Sequence, residues 1–409
     1  MVGTFVIEES TMLNKEIKMN KCWLRCVKCS RQSEFQLEGR CAQCGGTLLV
    51  DYDLEKVRST FTRNSLSQRK LSSLWRYHEL LPVRHLDSAV SLGEGGTPLI
   101  RLQGLGSTPD KKQIWIKREE QNPTGSFKAR GFSVSVSLLA ERGITKVAVP
   151  SNGNAASALA AYAARAGIEA HVFLPSDCPP LIVEECKLYG AHATLVDGMI
   201  HDAGKVIEDR KTEQGWFNVG TLRETGRVEG KKTMGIELAE QLGWRLPDII
   251  VYPTGGGSGI IGMWKAFHEL IALGMVEGEL PRFISVQEEG CQPLVDAMAD
   301  AAGASKAIKC EIDHSVSPTG LRVPLPPNLD LVVSILKESR GTAISVSKDE
   351  IKSAQLTLGK QGISSSPEGA ATLAGWLKLQ HTTDVDSAAT VVLFNTSHAM
   401  KYYPVGVSN

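Results

Sequence analysis

From Ser91 onward the apolar residues gather into short, near-continuous runs: QIWIK, KVAVP, AHVFLP, ATLVD, DIIVYP, RFISVQ and ATVVLFN. Between them lie segments of helical character, among them NAASALAAYAARAG, GIELAEQLG and IIGMWKAFHELIALG. Strands without a polar side, alternating with helices, predict an α/β architecture with a mostly parallel sheet, because helices then cover both faces. Upstream the pattern differs. LSSLWRYHELLPV sets Leu71, Leu74, Trp75 and Leu81 among polar residues, with Pro82 where a helix should stop, so a docking helix is expected there. There is no fixed-period repeat, no low-complexity segment and no apolar run long enough to span a bilayer.

Charge narrows the partners. Forty-five basic and 45 acidic residues, scattered along 409 positions, give zero formal net charge. Neither nucleic acid nor an anionic membrane surface is therefore expected as a partner, and a small-molecule substrate is. A hydrophobic content of 42% provides for a large core and excludes disorder as the main theme.

The nine cysteines are an odd, dispersed set, unlike a secreted disulfide framework, and MVGTFVIEESTMLNKEIKMNK lacks the order of a signal peptide. The expected location is the cytoplasm. Cys178, Cys186, Cys291 and Cys310 are isolated, but Cys26, Cys29, Cys41 and Cys44 form two C-x-x-C pairs eleven residues apart. Two such knuckles joined by a short hairpin can present four thiolates to one tetrahedral Zn²⁺, with Cys22 as a substitute ligand. No basic run surrounds them, which favours a structural cap over a nucleic-acid module. The expected division is a zinc-ribbon-like extension over 1–57 and a catalytic domain over 58–409, with a mobile small subdomain at roughly 122–226.

Four loops at the carboxyl ends of predicted strands carry the candidate chemistry. In QNPTGSFKARG, Asn122 to Gly125 can turn and Ser126 can cap a helix, so Lys128 falls in its first turn. The positive end of the helix dipole there lowers an amine's pKa, as an imine-forming lysine requires. In PSNGNAASALA, Ser151, Asn152, Gly153 and Asn154 offer polar donors at a helix N-terminus, either as a seat for a carboxylate or as simple caps. In YPTGGGSGIIG, successive glycines let the backbone close around a phosphate. In LFNTSHAMKYYP, Thr396 and Ser397 bring hydroxyls to a strand end.

An amine, a carboxylate seat, a phosphate cradle and a hydroxyl for a heterocycle are what pyridoxal phosphate requires. The formal G-x-G-x-x-G at Gly257 to Gly262 offers an NAD-dependent oxidoreductase as the alternative, although its acidic partner comes late and it leaves QNPTGSFKARG unexplained. SLGEGGTPLI, NPTGSFKARG, SNGNAASALA, PTGGGSG and FNTSHAMKYYP, in that order, resemble the motifs of fold-type II pyridoxal-phosphate enzymes, and within these threonine synthase and its relatives.

The resemblance implies two open α/β subdomains with the active site between them, a homodimer, and Lys128 as cofactor-linked lysine and proton shuttle. It also implies Asn154 at the cofactor's ring hydroxyl, Ser151 to Gly153 at the substrate carboxylate, Gly255, Gly256, Gly257, Ser258 and Gly259 at the cofactor phosphate, and Thr396 at the pyridine nitrogen. A neutral hydroxyl there favours elimination and replacement over transamination. For a phosphate leaving group, Arg130 is the first candidate partner and Lys117 the second. Ala129, where many threonine synthases carry aspartate, and the loop TGGGSG keep other readings open: threonine or serine dehydratase, cysteate synthase, or a noncatalytic relative.

Overall fold

The computed structural model describes residues 22–104, 113–299, 317, 319–380 and 388–403. Residues 1–21, Cys310 and Pro404 lie outside them. Among the described residues thirteen strands form three sheets: β1 Cys22–Cys26, β2 Gln32–Glu34, β3 Leu48–Tyr52, β4 Leu99–Arg101, β5 Gln113–Arg118, β6 Lys146–Pro150, β7 Glu169–Pro175, β8 His192–Val196, β9 Phe217–Asn218, β10 Ile249–Pro253, β11 Arg282–Glu288, β12 Thr342–Val346 and β13 Thr390–Asn395.

The largest sheet runs β12-β11-β10-β13-β5-β4, parallel except for β4, which pairs antiparallel with β5 through Ile100 and Ile116. A second sheet, β8-β7-β6-β9, is parallel throughout. β10 is buried at every position, Ile249 to Pro253, as a central parallel strand between two helical layers must be. All seven apolar runs are strands. β4, β9 and β12 are additional: β4 and β9 are short, and TAISV in β12 buries only Ala343 and Val346.

The segment expected to be a docking helix is a 3₁₀ helix, Leu74–Leu80, broken at Tyr77 (φ −104°, ψ 26°). Leu74 and Trp75 are buried, and Leu71 lies before the helix and is 44% exposed. The tighter winding turns Trp75 Nε1 to Glu94 Oε1 (3.0 Å), which ties the segment to SLGEGGTPLI.

The N-terminal sheet, β2-β1-β3, is antiparallel and shares the main core: Leu24, Val50 and Tyr52 join the same buried cluster as Met234 and Phe267. Tyr52 Oη donates to Glu229 Oε2 at 2.7 Å on the helix Gly226–Gln241. That helix and Ser258–Ala272 cross closely, since a Cβ on Gly262 would come within 2.9 Å of Lys232 N. Among the described residues no helix is long and apolar enough to cross a membrane.

Candidate active site

The segment after β5 is stitched to the end of β13. Phe127 N–H donates to Thr396 O (3.0 Å), and Ser126 forms an antiparallel bridge with Ser397. Ser126 was expected to cap the following helix, Lys128–Glu141. Its hydroxyl has no protein partner there, because Phe127 takes the cap position and the β13 contact fixes the chain instead.

Lys128 is the helix's first residue, and its Nζ lies 3.9 Å from the Phe127 ring centroid. Burial and then the neighbouring Arg227 guanidinium bring its pKa down to about 7, against a smaller opposing pull from Glu368. Desolvation and Arg227, rather than the helix dipole expected from the sequence, produce this depression.

The loop after β6 opens the helix Asn154–Ala166. Ser151 Oγ accepts from the N–H groups of Gly153 (2.9 Å) and Ala156 (3.1 Å), so it caps, and its own hydrogen is left to donate elsewhere. Gly153 sits at φ 142°, where a Cβ would be 2.6 Å from Ile182 Cδ1, so only glycine fits. Asn152 Nδ2 is occupied by the carbonyls of Arg322 (2.7 Å) and Thr319 (3.2 Å). Asn154 Nδ2 donates to Tyr402 Oη (2.8 Å), and its buried Oδ1 has no protein partner.

After β10, Gly257 adopts a left-handed φ of 74° just before the helix begins at Ser258. The loop is crowded from behind. A Cβ at Gly255 would stand 2.1 Å from Gly320 O, one at Gly257 2.4 Å from Val332 Cγ2, and one at Gly259 2.1 Å from Tyr252 Oη. Glycine is therefore required on the protein side of the loop, and the helix N-terminus faces the cavity with its amides free for an anion.

These loops converge. Lys128, Asn154, Gly255 to Gly259, Glu368 and Thr396 line one narrow chamber. It adjoins a cavity of about 360 Å³ that Lys128 and Ser151 to Asn154 share with Thr221, Arg227 and Ser258. The residues present fit pyridoxal phosphate on three counts: a buried amine lowered toward neutrality, a glycine cradle at a helix start, and an unpaired acceptor on Asn154.

Two sequence candidates stand elsewhere. Arg130 is fully buried and forms bidentate pairs with Glu119 (2.8 and 2.8 Å) and Glu237 (2.9 and 2.9 Å). Lys117 Nζ donates to the same Glu237 at 2.5 Å and to Thr97 O at 2.6 Å. Neither lines the cavity. The expectation that they hold a leaving phosphate is corrected, because their charges are already consumed by buried carboxylates.

Lys205 and Arg223, which also line the cavity, are paired with Asp202 and Glu208, whereas Arg227, which sequence reasoning missed, is buried there. Its Nη1 donates to Val219 O (2.7 Å), its Nε has no protein partner, and no ion pair engages it among the described residues. Burial lowers its pKa to about 10, against the pull of Glu224. Glu368 and Tyr402 were also missed: Tyr402 Oη donates to Glu368 Oε1, and so does Gly320 N–H (3.0 Å). The charged run GRVEGKK reads as solvated surface, and only its burial distinguishes it.

At the N-terminal sheet, the Sγ atoms of Cys26, Cys29, Cys41 and Cys44 all lie within 4.8 Å of one another, with Cys26 and Cys44 3.5 Å apart. The amides of Cys44 and Gln43 hold the Cys41 thiol down to about 7. A Cβ on Gly46 would be 2.8 Å from Cys26 Sγ, which explains the glycine after the second pair. Cys22, considered as a substitute ligand, is at the far end of β1 opposite Tyr52 and is not in the cluster.

Residues 90–397 match the family described as pyridoxal-phosphate dependent enzyme. The chain is a threonine synthase-like, fold-type II member of that family. It is 34% identical to the threonine synthase of Methanocaldococcus jannaschii over 379 residues, and 34% identical to that of Methanosarcina acetivorans over 381, covering 92% of each chain in both comparisons. Among solved structures, maize serine racemase superposes with a TM-score of 0.61 at 24% identity, covering 76% of this chain and 89% of that one. Threonine deaminase isoform 2 of Solanum lycopersicum gives 0.60 at 19%, covering 81% and 92%. These likenesses show the shared fold. The enzyme is thus a pyridoxal-phosphate-dependent lyase, and the dinucleotide alternative falls with the match of the glycine loop to this family.

Proposed function

We propose that this member converts O-phosphohomoserine and water to threonine and phosphate. Arg227 is the observation that carries the reading: a buried guanidinium without an ion pair among the described residues, lining the cavity beside Lys128, is suited to a phosphate monoester and has no use with a neutral hydroxyl leaving group. The bound cofactor supplies an electron sink for charge that develops on the substrate carbons.

The chain does the rest. Ser151 to Gly153 seat the carboxylate on the N-terminus of Asn154–Ala166, and Asn154 and Thr396 orient the heterocycle. Lys128, near neutrality at physiological pH, accepts and returns protons at the substrate carbons. Arg227 holds the departing phosphate, and the β-carbon then receives the elements of water. We propose that the β6 to β9 sheet with its helices, within 122–226, moves to close over the substrate.

O-phosphohomoserine, O-phosphoserine and threonine, each offered to the holoenzyme, should be told apart by product. Threonine and phosphate are expected from the first, with little 2-oxo acid from the others. Arg227→Gln should lower kcat/KM for O-phosphohomoserine by on the order of a hundredfold. Faster release of 2-oxo acid from threonine or phosphoserine would overturn the assignment in favour of a dehydratase.

We also propose that Cys26, Cys29, Cys41 and Cys44 hold one structural zinc. Four thiols so close together suit a closed tetrahedral site, and none lines the cofactor cavity. Metal analysis of freshly reduced protein should give about one zinc per chain, and Cys41→Ser should release it while the cofactor spectrum persists. Metal-free wild-type protein would refute the site.

A further inference from the structure

Lys231 and Lys232 are neighbours on the helix Gly226–Gln241, both fully buried, and the fold treats them in opposite ways. Lys232 Nζ is matched by Glu229 (2.7 Å) and Glu269 (2.9 Å). Lys231 forms no ion pair among the described residues. Its Nζ donates to Ser258 Oγ at 2.8 Å and lies 5.9 Å from the Phe127 ring centroid.

The charged groups that act on it are two bases, Arg227 and Lys128, and one acid, Glu224. The Glu224 carboxylate is already bonded by the N–H groups of Gly226 (2.6 Å) and Arg227 (2.9 Å). Space is set aside for the lysine: a Cβ on Gly131 would stand 3.2 Å from Lys231 Cε. The glycine of KARG thus opens the passage through which the side chain reaches Ser258.

Ser258 opens the 15-residue helix at the glycine loop and lines both parts of the cavity. Because its oxygen accepts from Lys231, its hydrogen is left to donate into the cradle. A base buried among bases is costly until an anion completes it, and the phosphate cradle is where an anion enters.

We propose that Lys231, acting through Ser258, is the built-in counter-charge of the cofactor phosphate, and that seating this phosphate draws one proton onto Lys231. The proposal rests on the family's cofactor and not on the substrate assigned above. Burial, Arg227 and Lys128 hold the amine well below the ordinary lysine range before the phosphate arrives. The dianion reverses that balance. A group protonated only in the bound state weakens binding as pH rises through its bound-state pKa, by up to about tenfold per pH unit.

Apoprotein should be titrated with pyridoxal phosphate and, separately, with pyridoxal, which lacks the phosphate, and the covalent product followed by absorbance. Lys231→Met is expected to weaken pyridoxal phosphate at least about tenfold and pyridoxal less than about twofold, with Lys231→Arg retaining most of the affinity. Equal weakening for both ligands would mark a merely structural role, and unchanged affinity for pyridoxal phosphate would remove the role altogether; either overturns the proposal.

Should Lys231→Met fail to fold, wild-type calorimetry decides. Near pH 8 the phosphate is already a dianion, so titrations in two buffers of different ionisation enthalpy count the protons the protein takes up. A larger uptake with pyridoxal phosphate than with pyridoxal is expected, and equal counts would refute the coupling. Covalent capture of either aldehyde by wild-type Lys128 upholds the cofactor assignment whatever Lys231 does.

Discussion

A Lys128→Ala variant is expected to purify without the yellow of the holoenzyme and to lose at least about a thousandfold in turnover. Two functions depend on the one amine. As proposed above, it would link the cofactor to the chain and, once released, serve as the base at the substrate carbons, and its place where the phosphate chamber meets the larger cavity suits both. No neighbour can replace it, since Lys231 is held at Ser258 and Arg227 is too weak an acid to give up its proton.

The pKa adds a second observable. Because burial and Arg227 set it near 7, the rate at which apoprotein captures the cofactor should rise with pH through about 7, as the amine becomes the free nucleophile. Borohydride reduction should then fix the label on the peptide containing Lys128. Turnover within tenfold of wild type in Lys128→Ala, or a label on another lysine, would remove Lys128 from the chemistry.

Glu237→Ala should destabilise the fold by about 3–5 kcal/mol, the loss expected when one partner of a buried ion cluster is deleted. Glu237 accepts from Lys117, from both Arg130 Nη atoms and from the N–H groups of Gly96 (2.8 Å) and Thr97 (2.9 Å). Its removal leaves two buried cations with one carboxylate, Glu119, and unties SLGEGGTPLI from the helix Gly226–Gln241. Urea titration of apoprotein measures the loss, and a change below about 1 kcal/mol would show the cluster to be dispensable.

The sign with pH follows from the same contacts. Arg130 and Lys117 hold the Glu237 carboxyl well below its ordinary value of 4.5. Its contribution is therefore present above about pH 4.5 and is lost as pH falls toward the lower folded-state value. Glu237→Gln should flatten that part of the acid limb.

The seven apolar runs were legible as strands because burial on both faces leaves one simple signature. The convergence of Lys128, the Asn154 loop and the glycine loop on one chamber was legible for a related reason: turns and helix starts use few residue types, and those types stand out. Arg130 and Lys117 mislead because a cation beside a catalytic motif reads the same whether it faces a ligand or a carboxylate. Glu237, 107 residues after Arg130, is the partner that decides, and nothing local announces it. The first half of Gly226–Gln241 was hidden likewise. Its run of charges and glycines reads as polar surface, yet Arg227, Glu229, Lys231 and Lys232 are all buried.

That helix meets a different set of partners on each side. Arg227 and Lys231 turn to the cavity and Ser258, Glu229 and Lys232 to Tyr52 and Glu269, and Thr233 and Glu237 to Arg130. An apolar helix can tolerate a slip because one methyl group resembles another; charges keyed in three directions cannot be re-matched. One inserted or deleted residue near Gly230 would rotate everything beyond it by about 100°, disconnecting ribbon, cofactor cradle and Glu237 cluster together. Length variation in this enzyme is therefore expected in other segments, with the Gly226–Gln241 helix as a ruler that fixes the chain's count of residues.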